Sequence, residues 1–266
     1  MPHPNQITPA QLMRLIGTSD APHIVDVRSA DDLADDPRLI PGGFVLAHDQ
    51  FDPVPARLIG HPVVVSCQKG RKLSEGVAAM LRTQGIPAEV LEGGSLAWAA
   101  AGLPMVPISA LPATNLWVTR HRPKIDRIAC PWLIRRFVDP TARFLFVAPG
   151  EVSAVAEKFN ATPFDIEDVF WSHRGEGCSF DTMIDEFGLA TAALSRLAVV
   201  VRAADTDRHD LSPQAAGLLA ISVGLSRQYR NDLDQLQAGM GVYDALYRWA
   251  RDGFEESHDW PAGRTT

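Results

Sequence analysis

Hydrophobic residues in the first hundred positions fall into short runs that alternate with helical patterns. Apolar runs of strand length lie at 23–27, 42–48, 61–67 and 87–94. Apolar residues with helix-type spacing lie at 8–17, 73–84 and 95–101. This alternation predicts an α/β domain over residues 1–106, with a mostly parallel sheet covered by helices on both faces.

The pattern changes in the second half of the chain. Residues 101–115 contain three prolines and no regular apolar period, which predicts a linker at 107–115. Strand-like runs follow at 115–120 and 142–149, and helical patterns at 124–139, 191–205, 212–229 and 232–254. Ser212 and Pro213 form a typical helix start, cap followed by first-turn proline. We therefore expect a mainly α-helical second domain over 116–266, joined to the first by a coupled interface or a flexible tether.

Composition narrows the class of protein. The 266 residues carry a net charge of -7, which argues against a broad nucleic-acid surface. The three cysteines are odd in number and widely spaced, so free thiols in a reducing compartment are expected rather than a disulfide framework. No apolar run reaches membrane-spanning length and the N-terminus has no signal-peptide pattern, so a cytoplasmic location is expected.

One cysteine lies where chemistry is expected. Cys67 ends an apolar strand, precedes a helix and is followed by Lys69, Arg71 and Lys72. Loop N–H groups and the helix dipole favour a thiolate, while Gly70 allows the loop to curl. A thiolate among positive charges suits attack on an anionic sulfur or phosphorus centre. The alternative is an inert cysteine buried at a strand end.

Three segments of the first half resemble the rhodanese (sulfurtransferase) family. They are "IVDVRSADDLADDPRLIPGG", "CQKGRK" and "VLEGGSLAWAAAGLP". The resemblance covers 1–106 and implies that Cys67 accepts a sulfane sulfur as a persulfide. It also implies a small anionic donor such as thiosulfate, and a thiol acceptor such as glutathione or a group in the second domain. The resemblance further implies that the loop residues which hold the persulfide are Gln68, Lys69, Gly70, Arg71 and Lys72. Asp26 and Arg28 would support this loop, the cradle, from the neighbouring strand ends.

The sequence departs from the rhodanese pattern at two positions. Leu39 replaces the turn histidine, and Lys72 replaces the last arginine of the loop. Lysine keeps the charge but lacks the fork that holds an oxyanion with two hydrogen bonds, so weak thiosulfate turnover is expected. Leu73 stands where a cysteine phosphatase needs arginine, which disfavours phosphatase activity.

Polar residues of the second half are unevenly placed. Asp126 and Cys130 share a helical face. A glycine-containing stretch holds His173, Glu176, Cys178 and Asp181, and a later one holds Asp205, Asp207, His209 and Asp210. Such groups are ligands of transition metals, and the candidate set is His173, Cys178, Asp126 and Asp205. No standard metal motif occurs, so alternatives remain open. Cys130 would then be a core residue, the His173 segment a glycine loop without ligands, and the Asp205–Asp210 segment a solvated loop between helices.

Three further segments resemble the C-terminal domain of the ChrB family of chromate-resistance proteins. They are "RPKIDRIACPWLIRRFVDPTARFLFVAPGEV", "ATPFDIEDVFWSHRGEGCSFDTMIDEFGL" and "PQAAGLLAISVGL", spread over 116–250. The resemblance implies a role as sensor or accessory protein in chromate resistance. The positions that carry over are Asp126, Arg127, Cys130, His173, Cys178 and Asp181.

Three hypotheses follow. The first is a cytoplasmic thiosulfate or sulfane-sulfur sulfurtransferase that serves chromate or oxidative-stress resistance. The second is a non-catalytic sensor or regulatory module, whose Cys67 loop binds chromate or another oxyanion without turnover. The third adds a transition-metal site in the second domain. No certain cofactor is indicated, and direct nucleic-acid binding is disfavoured.

Overall fold

The first half of the chain is built on one parallel sheet. The computed structural model describes residues 5–256. The strands of this half are β1 (Gln6–Ile7), β2 (His23–Asp26), β3 (Arg38–Leu39), β4 (Gly43–Val45), β5 (Val63–Ser66) and β6 (Ala88–Leu91). Five of them form the sheet, in the order β1-β6-β5-β2-β4 and parallel throughout.

Helices cover both faces of this sheet, as the sequence predicts. They are α1 (Pro9–Leu15), α2 (Ala30–Asp35), α3 (Lys72–Thr83) and α4 (Gly94–Ala100). Alternate strand residues enter two different cores. Ile24 and Val64 lie in the larger core with Trp98 of α4, whereas Val25 and Val65 lie in a smaller core with residues of α3.

The second half is mainly helical and contains a small sheet. Its strands are β7 (Val106–Pro107), β8 (Leu116–Arg120), β9 (Arg143–Val147) and β10 (Thr162–Pro163). Its helices are α5 (Asp126–Leu133), α6 (Val152–Phe159), α7 (Ser179–Glu186), α8 (Ala192–Asp205), α9 (Ala215–Gln228) and α10 (Asp232–Asp252). Strands β10, β8 and β9 pair in parallel, in that order, and a π-helical segment, Ile134–Val138, extends α5.

One predicted helix start is wrong. Helix α9 begins at Ala215 rather than at Pro213. The hydroxyl of Ser212 donates to the side chain of Gln214 at 2.7 Å instead of capping the first turn. A local side-chain contact therefore competes with the capping role that the sequence suggested.

The predicted linker 107–115 packs against the rest of the molecule. Strand β7 pairs antiparallel with β3, and Ile108 donates its N–H to Pro37 at 2.9 Å. The larger core also contains residues of both halves, and Gly42 of the first half donates its N–H to the carbonyl of Phe137 in the second at 2.6 Å. The structure thus has the coupled interface rather than the flexible tether.

The length and polarity of the helices bear on membrane insertion. Within residues 5–256, none of the helices combines the length and apolar character needed to cross a bilayer.

Candidate functional site

The Cys67 loop leaves the middle strand of the large sheet. Cys67 follows Ser66, the last residue of β5, and α3 begins five residues later at Lys72. Neighbouring strands lie on both sides of β5, and Ser66 is in register with Asp26 at the end of β2. The loop therefore lies at the carboxyl edge of a parallel sheet, where α/β proteins place their ligands.

Hydrogen-bond donors surround the Cys67 sulfur. The N–H of Arg71 donates to Sγ at 3.3 Å, and the Ser74 hydroxyl lies 3.2 Å from Sγ. Burial raises the pKa of the Cys67 thiol, but the hydrogen bonds from Ser74 and from the N–H groups of Arg71, Ser74 and Lys69 outweigh it. The net pKa is lower than the ordinary value for cysteine. The loop thus favours the thiolate, which is the nucleophilic form.

A glycine turn before α4 holds the loop from behind. Gly70 has φ +62°, and a Cβ there would overlap the carbonyl of Leu91. Gly94 has φ +64°, and a Cβ there would overlap the Cys67 carbonyl, which accepts the Ser95 N–H at 3.0 Å. The "GG" of the family signature therefore sets the backbone path of the loop, because only glycine fits this approach.

The loop forms one wall of a surface pocket of about 890 Å³. Of the predicted cradle, four residues line the pocket with Cys67, namely Gln68, Lys69, Arg71 and Lys72. Gly70 shapes the loop from behind, where it packs on the glycine turn. Cys67 is only 5% exposed, so its sulfur lies at the base of an opening in which Lys69, Arg71 and Lys72 outnumber the acidic residues Asp32 and Asp49.

Asp26 and Arg28 support the wall opposite the loop. Their side chains form a buried ion pair at 2.7 Å. Arg28 also donates to the carbonyls of Asp36 at 2.9 Å and Arg38 at 2.6 Å, and it lines the pocket. The pair fixes the chain after β2.

The two departures from the rhodanese pattern have clear positions. Leu39 is 4% exposed and pairs with Val106, so a structural contact fills the position of the family's histidine. Lys72 is the first residue of α3 and lines the pocket, as does Leu73.

A second cluster of titratable groups lies in the helical half. Asp126 begins α5, Asp205 ends α8, and His173 lies between β10 and α7. The His173 Nε2 atom lies 3.5 Å from Asp126 Oδ2 and 3.3 Å from Asp205 Oδ2. One ligand atom from each residue lies within 4.8 Å of the other two. Three of the four predicted ligands therefore meet.

Strong electrostatic coupling accompanies this geometry. Asp126 is fully buried, and burial followed by the nearby charges of Asp205 and Asp165 raises its pKa well above the usual value. The carboxylates of Asp165 and Asp205 raise the pKa of His173 to about 10. The cluster thus concentrates carboxyl groups around one imidazole.

Asp165 is a member of this site that the sequence analysis did not identify. Its Oδ1 lies 3.3 Å from His173 Nε2 and accepts the Ser179 hydroxyl at 2.8 Å. Its Oδ2 lies 3.3 Å from both Arg120 Nη2 and Arg127 Nε. Burial raises the pKa of Asp165, but His173, Ser179 and the two arginines lower it more. Only its place in the "TPFDIED" segment hinted at a role.

The structure corrects the predicted role of Cys178. Its backbone N–H donates to Asp181 Oδ2 at 2.9 Å at the start of α7, and the residue lies outside the three-residue ligand group. Burial raises the pKa of both Cys178 and Cys130, so both are held as thiols. A protonated thiol is a poor metal ligand.

The remaining candidates contribute at different distances. Arg127 pairs with Asp165, while the exposed Glu176 pairs with Arg208 at 3.3 Å, outside the ligand group. Asp181 caps Cys178 and lies 3.5 Å from Arg202. Ser74 is a further partner of the nucleophile that sequence patterns do not predict, because its hydroxyl reaches Sγ only after the loop has folded back.

Comparisons with known proteins place both halves in families. The family model "ChrB, C-terminal domain" matches residues 117–250, and the model "Rhodanese-like domain" matches residues 8–101. Protein ChrB of Cupriavidus metallidurans is 35% identical over 133 residues, which is 49% of this chain and 39% of that protein. The chain thus spans about two fifths of the curated relative that it matches.

Several solved structures are similar to a part of the chain. A thiosulfate sulfurtransferase from Pseudomonas aeruginosa is 28% identical, with TM-score 0.32, over 40% of this chain and 20% of that one. A rhodanese-like domain protein from Staphylococcus aureus is 27% identical, with TM-score 0.32, over 35% of this chain and 90% of that one. The chain belongs to the ChrB C-terminal domain family, and its first half is a rhodanese-like domain.

Proposed function

We propose that the chain is a sulfurtransferase whose Cys67 carries a sulfane sulfur as a persulfide. One observation carries the proposal. The Cys67 sulfur lies among N–H and hydroxyl donors that lower its pKa, at the base of a pocket lined by Lys69, Arg71 and Lys72. The donors that stabilise a thiolate also stabilise the terminal sulfur of a persulfide, since both are anionic.

The transfer needs two displacements at sulfur. The Cys67 thiolate attacks the outer sulfur of a donor such as thiosulfate, a new Sγ–S bond forms, and sulfite leaves with the electron pair of the broken S–S bond. An acceptor nucleophile then attacks the terminal persulfide sulfur, and the Cys67 thiolate is regenerated. A thiol acceptor such as glutathione becomes a persulfide, and cyanide becomes thiocyanate.

The pocket supports this choice of partners. Its cationic side chains attract a small dianion, and its volume of about 890 Å³ admits a tripeptide thiol. The helical half, which is joined to the sulfurtransferase domain, is the ChrB-type domain. We therefore place the activity in chromate or oxidative-stress resistance. The three cysteines are free thiols, which supports a reducing, cytoplasmic setting.

The test uses the full chain and its Cys67→Ser variant. We expect thiosulfate to add one sulfur atom to the wild-type protein, located on the Cys67 peptide by mass spectrometry and removed by cyanide. Thiocyanate formation should fall to background in Cys67→Ser. Equal inactivity of both proteins with several sulfane donors would falsify the enzymatic proposal.

The same experiment separates the alternative function. Lys72 in place of arginine is the observation that favours the alternative, because weak turnover is expected where the arginine fork is missing. Chromate or thiosulfate that protects Cys67 from alkylation without forming a persulfide would identify a sensor instead. Persulfide formation at Cys67 identifies the enzyme.

A further inference from the structure

We propose that Asp126, His173 and Asp205 form a binding site for a divalent first-row transition-metal ion. The site belongs to the helical half and is independent of sulfur transfer at Cys67. Its three ligands come from the start of α5, the segment before α7 and the end of α8. Only the fold brings them together.

The spacing of the ligand atoms fits a common central ion. His173 Nε2 is 3.5 Å from Asp126 Oδ2 and 3.3 Å from Asp205 Oδ2. Nitrogen and oxygen ligands about 2.1 Å from an ion at tetrahedral angles lie about 3.4 Å apart. Two of the three separations therefore match this spacing, and the third, between Asp126 and Asp205, is within 4.8 Å.

Hydrogen bonding accounts poorly for the same contacts. The Nε2 atom of an imidazole carries at most one hydrogen, but three carboxylates face it, those of Asp126, Asp165 and Asp205. All three distances, 3.3–3.5 Å, exceed the roughly 2.7–3.2 Å of normal N–H···O bonds. A cation between the oxygens of Asp126 and Asp205 and the nitrogen of His173 satisfies these three groups, while Asp165 keeps its contacts with Ser179, Arg120 and Arg127.

The buried carboxylate of Asp126 gives an independent indication. Asp126 is 0% exposed, and its Oδ2 accepts the Ser179 N–H at 2.6 Å. Its Oδ1 is buried and meets no hydrogen-bond geometry within residues 5–256, although the neighbouring Cys178 thiol offsets part of the rise in the pKa of this carboxyl. An unpaired buried carboxylate oxygen costs free energy, and coordination of a cation by this carboxylate removes that cost.

The surroundings are those of a metal site with an outer layer of support. Asp165 is held by Ser179, Arg120 and Arg127, and it lies beside His173. The side chain of His173 is 42% exposed, which leaves a coordination position open to solvent. Two carboxylates and one imidazole, without thiolate, favour Mn²⁺, Fe²⁺, Co²⁺ or Zn²⁺ over Cu⁺.

The test measures metal binding to the full chain. All proteins carry Cys67→Ser, so that a reactive thiolate does not compete for metal, and are stripped with a chelator before titration with Co²⁺, Zn²⁺ or Mn²⁺. We expect one equivalent of tightly bound metal. His173→Ala and Asp205→Asn should each weaken binding by at least about tenfold, since even outer partners of metal ligands have effects of that size.

The matched control is His209→Ala. His209 lies 3.7 Å from Asp207, in the same half but outside the triad, so its removal should leave affinity unchanged. Circular dichroism confirms folding of each variant, and Asp205→Asn keeps the shape of the side chain if His173→Ala does not fold.

Two results overturn the proposal. The first is less than a tenth of an equivalent bound at micromolar free metal, which would leave the cluster as an ion-pair network. The second is binding that both triad variants retain. A thiolate-to-Co²⁺ charge-transfer band would replace the assigned ligand set with one that includes Cys178.

Discussion

The Cys67 loop and the Asp126–His173–Asp205 cluster organise charge in opposite ways. The loop surrounds one sulfur with backbone N–H groups and the Ser74 hydroxyl, all from a single short segment. The cluster gathers side chains of opposite charge from several distant elements. The electrostatics of the loop therefore depend on the path of its backbone, whereas those of the cluster depend on the tertiary packing of charged side chains. Each part of this comparison can be tested.

The largest effect is expected from Gly94→Ala, which attacks the backbone path. A Cβ at Gly94 would overlap the Cys67 carbonyl, and the residue has φ +64°. We expect a loss of about 4 kcal/mol in the free energy of unfolding, from clash and strain together, and loss of sulfur transfer. Urea unfolding and the thiocyanate assay measure the two.

The control for this variant is Gly85→Ala. Gly85 has φ +78°, but no atom lies within 4 Å of the added Cβ. It should cost only about 1 kcal/mol and leave activity intact. Similar losses in both variants would show that strain alone, rather than the approach to the loop, is responsible.

Asp165→Ala should have the next largest effect, because it removes charge from the second cluster. Arg120 and Arg127 lose their carboxylate partner. We expect a loss of about 3 kcal/mol in the free energy of unfolding, at the low end for a broken buried pair because both arginines reach solvent. Thermal unfolding measures this loss of stability.

The control is Glu167→Ala. Glu167 is an exposed acid in the same segment, and its removal should change stability by less than about 0.5 kcal/mol. Equal effects of the two would remove the special role of Asp165.

Ser74→Ala should shift the pH dependence of sulfur transfer. The Ser74 hydroxyl is the main hydrogen-bond partner that lowers the pKa of Cys67, so its loss raises that pKa. The thiolate is lost as pH falls through the pKa, so the acidic limb of the rate profile should move to higher pH. We expect a roughly tenfold lower rate on that limb and little change at alkaline pH.

Ser66→Ala is the matched control for the pH experiment. Ser66 is also buried, but its hydroxyl faces the Cys67 carbonyl at 3.5 Å rather than Sγ. Its acidic limb should stay with that of the wild type. An unshifted limb in Ser74→Ala would contradict the role assigned to the hydroxyl.

The smallest effect is expected from Lys72→Gln, which removes one charge from the pocket opening. We expect the KM for thiosulfate to rise about fivefold at low salt and the difference to shrink as salt is added, because screening weakens exposed charges. Lys72→Arg should lower KM below the wild-type value through the bidentate fork. A KM that is the same in all three proteins would show that the anion does not reach Lys72.

Much of the first half follows from local sequence. The strands around 23–27 and 61–67 and the helix at 73–84 appear where the apolar periods place them, at β2, β5 and α3. Helix α1 also lies within the predicted range 8–17, and Thr8 caps it by accepting the Gln11 N–H at 3.2 Å. These elements are predictable because the period of burial in a strand or helix is written directly in consecutive residues.

Features that depend on distant contacts were less predictable. The short helices α6 and α7 and strand β10 were not identified, and the predicted linker pairs with β3 through β7. Nothing in the spacing of residues marked Asp165, because its partners lie on other elements. Such contacts are set by packing of the two halves rather than by neighbouring residues.

Local sequence patterns are enough to predict the two halves of the chain, the α/β alternation of the first half and the Cys67 loop. A loop of consecutive N–H groups needs only its own residues and the glycine turn to surround a sulfur. Only the folded chain brings Asp126, His173 and Asp205 together and leaves Cys178 outside their group. Only the folded chain also shows that the two halves share a core. The physical reason is that side-chain charges from separate elements gain a common partner only after burial of the apolar core has fixed where each helix lies.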